Sequence, residues 1–264
     1  MRLDFTGKTV LVTGGARGIG LAIARAFVGA GASVLITDIL VEEGTDAAAG
    51  LGASTAFLRH DVRVQAEWDA AVAEAERRFG GLDVVVNNAG IETAALMQDI
   101  EADDFHHVFD INVLGVMLGT RSAFRAMRPG GTTGRGGSIV NIASAAAIMC
   151  GTGLSIYAAS KAAVAHFTRN AATEAGALGY SIRSNCIMPG MTETSMARQL
   201  GDHFAGMGLV ESEAAMRADM LARFPLKRYA DPPEMASVVL FLASDAASYM
   251  TGAVLPVEGA QSLI

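Results

Sequence analysis

The segment TGGARGIG, residues 13–20, decides the fold, because it joins a pattern typical of a buried strand to one typical of a helix. It follows the apolar run VLV, residues 10–12, and precedes the helical spacing of Ala22, Ile23 and Ala26. Glycines in such a turn let the backbone approach a ligand, and the helix N-terminus offers free N–H groups to an anion. The segment therefore predicts a pyrophosphate-binding turn, with a purely structural glycine turn as the alternative.

The same alternation of strand and helix continues along the chain. Short apolar runs predict strands at 9–13, 33–37, 55–58, 84–86, 138–142, 182–187 and 254–257. Periodic segments predict helices at 19–29, 65–79, 103–127, 156–177 and 232–243. Strands separated by helices form a parallel sheet covered on both faces. We expect one doubly wound, Rossmann-type α/β domain over residues 1–264 with a seven-stranded parallel sheet, and an insertion at about 191–224 that covers the substrate.

Two charged residues bear on the choice of dinucleotide. Asp38 ends the second predicted strand, where a carboxylate accepts hydrogen bonds from the adenosine ribose, and this favours NAD. Arg17 lies in the glycine turn, where a guanidinium could meet the 2′-phosphate of NADP or could simply be solvated. We expect NAD, and NADP remains the lesser alternative.

Ser144, Tyr157 and Lys161 form the candidate catalytic group. Tyr157 and Lys161 are four residues apart on a predicted helix, so both side chains lie on one face. A free tyrosine has a pKa of about 10, and we expect a neighbouring ammonium and an oxidised nicotinamide to favour the phenolate. Ser144 follows a strand at the sheet edge where α/β proteins bind ligands, and its hydroxyl can polarise a substrate oxygen.

Several further motifs, from about Lys8 to Ala260, resemble the short-chain dehydrogenase/reductase family. They are the TGxxxGxG turn, His60-Asp61-Val62, the NNAG sequence at 87–90, Asn112, YxxxK at 157–161 and the PGxxxT sequence at 189–194. The resemblance implies catalytic roles for Asn112, Ser144, Tyr157 and Lys161, with Asn112 in a proton relay. It implies cofactor contacts for Gly14, Arg17, Gly18, Ile19, Gly20, Asp38, Asp61, Val62, Asn88, Ala89, Gly90, Tyr157, Lys161, Pro189, Gly190, Thr192 and Thr194. The usual VDGG-like ending appears here as VEGA, residues 257–260, which removes no catalytic group.

Composition excludes several other classes of protein. A net charge of −7 is unfavourable for nucleic-acid binding, and no polybasic segment suggests a membrane surface. The apolar runs are too short to span a bilayer, and Asp4 interrupts the N-terminus where an export signal would be apolar. Two cysteines and five histidines show no zinc-ligand spacing, so we expect no metal. A cytoplasmic protein is the expectation.

The predicted function is interconversion of a secondary alcohol and a ketone, as a short-chain alcohol dehydrogenase of class EC 1.1.1. The insertion at 191–224 is rich in methionine, leucine and phenylalanine and contains glycines at 201, 206 and 208, which predicts a closing apolar lid and an alicyclic or steroid-like substrate. Met149, Leu154 and residues 94–96 are candidate pocket walls. Alternatives are an NADPH-dependent 3-oxoacyl thioester reductase, a polyol or sugar dehydrogenase, and a non-catalytic dinucleotide-binding protein.

A homotetramer is predicted from helices 103–127 and 156–177. The second of these carries small residues at 158, 159, 162 and 163, and the apolar tail Leu263-Ile264 could contribute to the assembly.

Overall fold

A parallel sheet of seven strands forms the centre of the molecule, with the strand order β3-β2-β1-β4-β5-β6-β7. The computed structural model describes residues 3–263; Ile264 of the predicted tail and the ends of the predicted domain lie outside this range. The strands are β1 (Thr9–Thr13), β2 (Ser33–Asp38), β3 (Thr55–Arg59), β4 (Val84–Asn87), β5 (Gly137–Ile142), β6 (Ile182–Pro189) and β7 (Val254–Val257). The predicted seven-stranded, all-parallel arrangement is confirmed.

Helices cover both faces of this sheet. They are α1 (Gly18–Gly29), α2 (Val41–Leu51), α3 (Gln65–Phe79), α4 (Ala102–Phe109), α5 (Gly115–Met127), α6 (Ser155–Ala177), α7 (Ser195–Gly206), α8 (Glu213–Arg223) and α9 (Pro232–Ala243). Successive residues of β1 point to opposite faces, so Val10 and Val12 pack with α1 and α9 while Leu11 packs with α3 and α5. No helix among residues 3–263 is long and apolar enough to cross a bilayer.

The predicted helix 103–127 contains one wider turn. Residues Asp110–Leu114 form a π-helical turn between α4 and α5, and Asn112 lies within it. Such turns insert an extra residue into the helix and are frequent at functional sites. The chain is helical from Ala102 to Met127, as predicted, and only the π turn was missed, because an apolar period of 3.6 residues does not reveal a single wider turn.

Three helices were missing from the predictions. In α2 the buried residues are only Gly44 and Ala48, and Gly44 is required because a Cβ there would lie 2.1 Å from the Phe57 ring. The other two, α7 and α8, form much of the insertion. Gly201, expected to help a lid close, instead lets these two helices pack, since a Cβ at this position would lie 2.5 Å from the Glu213 side chain.

Candidate active site

The glycine turn leaves the N-terminus of α1 open. Gly14 and Gly18 have φ of +61° and +57°, which favours glycine. A Cβ at Gly20 would lie 2.1 Å from the Gly14 carbonyl oxygen, so the turn can close only with glycine there. Arg17 precedes the helix in an extended conformation and its side chain makes no capping hydrogen bond. The first N–H groups of α1 are therefore free of a side-chain cap and suit an anionic ligand.

Asp38 is held rigidly beside this turn. One of its carboxylate oxygens accepts a hydrogen bond from Ala16 N at 3.1 Å and the other from Leu40 N at 3.2 Å. Arg17 and Asp38 both line the same cavity. The structure thus brings together the two residues that favour opposite dinucleotides.

The sequence NNAG ties the end of β4 to the end of β1. Thr13 Oγ1 accepts hydrogen bonds from Asn88 N and Ala89 N, both at 3.0 Å. Asn88 Nδ2 donates to the carbonyl oxygens of Thr13 and Gly14, at 3.0 and 2.9 Å. Asn88 therefore holds the glycine turn in place. Thr13 was quoted in the turn but not recognised as an acceptor, because its partner lies 75 residues away along the chain.

Two further predicted contact regions border the cavity. Asp61 forms an ion pair with Arg63 at 2.6 Å, and hydrogen bonds from Arg63 lower the pKa of Asp61 to about 2. Val62 is buried and its carbonyl oxygen accepts the Trp68 indole N–H. The hydroxyl group of Thr194 caps α7. A Cβ added at Gly18 would lie 3.5 Å from Thr194 Cγ2. Thr194 therefore borders the glycine turn.

Ser144, Tyr157 and Lys161 converge on one cavity wall. Tyr157 and Lys161 are buried on α6, with Lys161 Nζ 5.7 Å from the centroid of the Tyr157 ring. Lys161 Nζ donates to the Ile142 carbonyl oxygen at 3.1 Å, which fixes it at the end of β5. Burial lowers the pKa of Lys161 to about 8, so the amine is mostly charged at neutral pH.

The electrostatics of Tyr157 differ from expectation. Burial, with a smaller contribution from Glu92, raises the pKa of Tyr157 above that of a free tyrosine, while a hydrogen bond with Ser144 lowers it. We expected Lys161 to favour the phenolate, but in the chain without cofactor the dominant effect is desolvation. Tyr157 is therefore a neutral phenol in this state.

Asn112 lies behind the cavity wall. It is fully buried, and its side chain bonds both the N–H and the carbonyl oxygen of Ile91 at 2.9 Å. Its Nδ2 also donates to Ser160 Oγ at 3.1 Å. A Cβ at Gly90 would lie 3.1 Å from Asn112 Oδ1 and 3.2 Å from Lys161 Nζ. Asn112 thus fixes the backbone that follows the NNAG sequence.

Except for Asn112, every residue predicted to be catalytic or to bind the cofactor lines a single cavity of about 640 Å³. They are Gly14, Arg17, Gly18, Ile19, Gly20, Asp38, Asp61, Val62, Asn88, Ala89, Gly90, Ser144, Tyr157, Lys161, Pro189, Gly190, Thr192 and Thr194. Polar residues that were not predicted, among them Glu92, His60 and Arg63, also line it.

Comparisons with known proteins identify the family. Residues 14–260 match a family model described as enoyl-(acyl carrier protein) reductase. A 3-alpha-(or 20-beta)-hydroxysteroid dehydrogenase of Mycobacterium tuberculosis is 38% identical over 253 residues, 96% of this chain and 88% of the relative. The chain belongs to the short-chain dehydrogenase/reductase family.

Other members of this short-chain dehydrogenase/reductase family differ in their named activities. A trans-4-hydroxycyclohexanecarboxylate dehydrogenase of Sinomonas cyclohexanicum is 36% identical, covering 97% of this chain and 93% of the relative. A 3-oxoacyl-[acyl-carrier-protein] reductase of Chlamydia pneumoniae is also 36% identical, covering 98% of each. The protein is therefore a short-chain oxidoreductase of the alcohol and ketone class that uses a nicotinamide dinucleotide.

The residues of this short-chain dehydrogenase fit such a dinucleotide. The uncapped N-terminus of α1 can take the pyrophosphate, because its N–H groups are aligned and the first turn holds no acidic residue. Asp38 offers a fixed carboxylate to the adenosine ribose. The other end of the cavity reaches Tyr157 and Lys161, where a nicotinamide would be placed.

Many apolar side chains line the rest of this dehydrogenase cavity. Six of the predicted apolar residues line it: Met149, Leu154, Met191, Met196, Leu200 and Phe204. Residues 94–96 and Met207, Leu209 and Met216 are not among the lining residues. Met207 and Leu209 instead approach Gly153, where an added Cβ would lie 3.2 Å from the Met207 side chain and 3.7 Å from that of Leu209. The second part of the insertion thus supports the loop at 149–154 from outside.

Proposed function

We propose that this protein interconverts a secondary alcohol and a ketone using NAD, on a largely apolar, alicyclic or steroid-like substrate. One observation carries the proposal: the cavity that holds Ser144, Tyr157 and Lys161 has an apolar wall of methionine, leucine and phenylalanine. Apolar walls with a few convergent polar groups are typical of sites for small organic ligands.

In this mechanism Tyr157 transfers the proton and Ser144 orients the reacting oxygen. A bound nicotinamide would supply hydride chemistry at the carbinol carbon and, in its oxidised form, a positive charge in the cavity. For reduction, the Tyr157 phenol donates its proton to the carbonyl oxygen as the carbon receives the hydride. For oxidation, Tyr157 must first lose its own proton, and the resulting phenolate takes the hydroxyl proton as the carbon loses the hydride. Lys161, mostly charged at neutral pH, stabilises the phenolate form.

The preference for NAD rests on Asp38. Its carboxylate is held by two backbone N–H groups, so it cannot turn away from a 2′-phosphate, and like charges at close range repel. A second candidate, an NADPH-dependent 3-oxoacyl thioester reductase, is favoured by Arg17 in the same cavity and by the Chlamydia relative.

The substrate class is supported by two named relatives. One is named a hydroxysteroid dehydrogenase and another a hydroxycyclohexanecarboxylate dehydrogenase, and both names describe an alcohol on an alicyclic carbon skeleton. The segment 191–224 places Met196, Leu200 and Phe204 of α7 against the site, so we propose that it acts as a substrate lid.

We further propose that residues 1–264 form one domain that assembles into a homotetramer in the cytoplasm. Phe105 on α4 and Met117 on α5 are each 44% exposed, which suits helices that pack against another copy. Light scattering at micromolar concentration tests this, and a monomer would contradict it.

A panel of alcohols and ketones tests the proposed activity, with nicotinamide absorbance as the readout and with NAD(H) and NADP(H) compared. We expect the highest kcat/KM with NAD and cyclic or steroidal alcohols. A clear preference for sugars and polyols would contradict the apolar site, and a preference for NADPH with 3-oxoacyl thioesters would favour the second candidate. Stoichiometric cofactor binding without turnover on any substrate would indicate a non-catalytic protein.

A further inference from the structure

Glu92 is an unexplained acid at the reacting end of the cavity. It lines the same cavity as Ser144, Tyr157 and Lys161. Its Oε1 is buried and has no hydrogen-bond partner among residues 3–263. Burying a carboxyl group without a partner costs free energy, so an unpaired one in a binding cavity calls for a ligand.

The backbone around Glu92 is tightly fixed. Asn112 bonds both the N–H and the carbonyl oxygen of Ile91, the preceding residue. Gly90 lies beside Lys161 Nζ, so the segment 90–92 runs past the catalytic lysine. The position of Glu92 is thus set by the same asparagine that supports the catalytic wall.

The negative charge of Glu92 argues against a role in activating Tyr157. Its carboxylate raises the pKa of Tyr157, which works against the phenolate needed for oxidation. Burial also raises the pKa of Glu92 itself to about 7, so the carboxyl is costly to ionise without a partner. The group is therefore unfavourable for the protein alone and would gain from a ligand that pairs with its buried oxygen.

We infer that Glu92 is a specificity-determining residue that accepts a hydrogen bond from a second hydroxyl group of the substrate. Ser144 and Tyr157 are assigned to the reacting oxygen, and Glu92 lines the same cavity with a buried carboxyl oxygen that has no partner, which makes it an acceptor for a second donor on the substrate. The preferred substrate is then a cyclic diol, in which one hydroxyl reacts and the other binds Glu92. This inference rests on the proposed alcohol dehydrogenase function and makes its substrate class narrower.

The test compares cyclohexanol with 1,2-, 1,3- and 1,4-cyclohexanediols, using NAD reduction by the wild type and by Glu92→Gln and Glu92→Leu. For the wild type at pH 8, where most of the Glu92 carboxyl is ionised, kcat/KM should be at least about tenfold higher for one diol than for cyclohexanol, as expected for an added hydrogen bond to a charged group. In Glu92→Leu the ratio of kcat/KM for the diol to that for cyclohexanol should fall at least about tenfold, mainly because KM for the diol rises. The fall should be smaller in Glu92→Gln, because the amide oxygen can still accept a hydrogen bond. Glu43→Gln, the same change at an exposed position on α2, should keep the wild-type ratio.

The outcomes separate the two proposals. If the wild type oxidises none of these alcohols or the steroidal ones, the proposed function fails. If it oxidises cyclohexanol at least as well as every diol, only the inference about Glu92 fails. The inference would also be overturned if kcat/KM fell equally for diol and cyclohexanol in both variants. The same holds if the variants bound NAD more weakly while the diol-to-cyclohexanol ratio of kcat/KM stayed unchanged. Melting curves of each variant show that the chain is folded.

Discussion

The cofactor half and the substrate half of the cavity are built in different ways. In the cofactor half, around residues 13–20 and 87–90, backbone atoms approach so closely that Gly14 and Gly20 admit no Cβ. In the substrate half, formed by residues 149–154 and 191–224, the lining consists of flexible side chains such as Met149, Met191 and Met196. A ligand common to a whole family can be bound by backbone geometry, whereas a particular substrate is selected by side chains that are free to change.

The largest expected effect separates chemistry from cofactor binding. Tyr157→Phe removes the proton donor and keeps the ring, so kcat should fall about 10²–10⁴-fold while Kd for NAD stays within about twofold. Steady-state rates and fluorescence titration with NAD measure the two effects. Tyr249→Phe is the matched control, since Tyr249 is fully exposed. Turnover of Tyr157→Phe at the wild-type level would contradict the mechanism.

The converse change damages the cofactor half. In Gly20→Ala the new Cβ would lie 2.1 Å from the Gly14 carbonyl oxygen and 2.5 Å from Asn88 Nδ2, so the turn must open. We expect Kd for NAD to rise more than about tenfold, because the N–H groups of α1 lose their alignment. Gly29→Ala is the control, since no atom lies within 4 Å of a Cβ at that end of the same helix. Equal NAD affinities of the two variants would show that the turn is not the pyrophosphate site.

The third prediction concerns cofactor choice within this rigid half. Asp38→Ala removes a fixed negative charge, so the ratio of kcat/KM for NADP to that for NAD should rise about 10–100-fold. Arg17→Ala should shift the ratio the other way if its guanidinium meets a 2′-phosphate. A wild type that already prefers NADP would show that Arg17 outweighs Asp38.

The smallest expected effect is a pH-dependent stability in the substrate half. Burial raises the pKa of Glu92 from 4.5 to about 7, with Lys161 opposing the rise. Below pH 4.5 the carboxyl is neutral in both the folded and unfolded chain. Between pH 4.5 and 7 the unfolded chain loses its proton first, which lowers the free energy of unfolding by up to about 3 kcal/mol.

Glu92→Gln should therefore match the wild type in Tm near pH 4.5 and exceed it by several degrees at pH 8. Calorimetry of both proteins across this range, with Glu43→Gln as the control, measures the difference. A constant difference at all pH values would mean that Glu92 titrates normally in the folded protein.

The sequence predicted the cofactor half better than the substrate half for physical reasons. Strand boundaries agree within two residues because buried parallel strands are continuous apolar runs. The glycine turn was identifiable because its geometry demands glycine at fixed spacing. By contrast, α2 and α7 carry few buried residues, and their weak apolar pattern did not reveal them. Glu92 was missed because an acid beside a motif carries no sign of burial until the chain folds.

The proposed reaction is a direct hydride transfer from a secondary alcohol to the nicotinamide, with Tyr157 transferring the proton. It is tested most directly by oxidising an alcohol of the panel, deuterated at the carbinol carbon, with NAD and analysing the products by NMR. We expect the deuterium on the nicotinamide ring in an amount equal to the ketone formed, and we expect Tyr157→Phe to form both products far more slowly than the wild type. Deuterium released to solvent, or ketone formed without labelled nicotinamide, would contradict it.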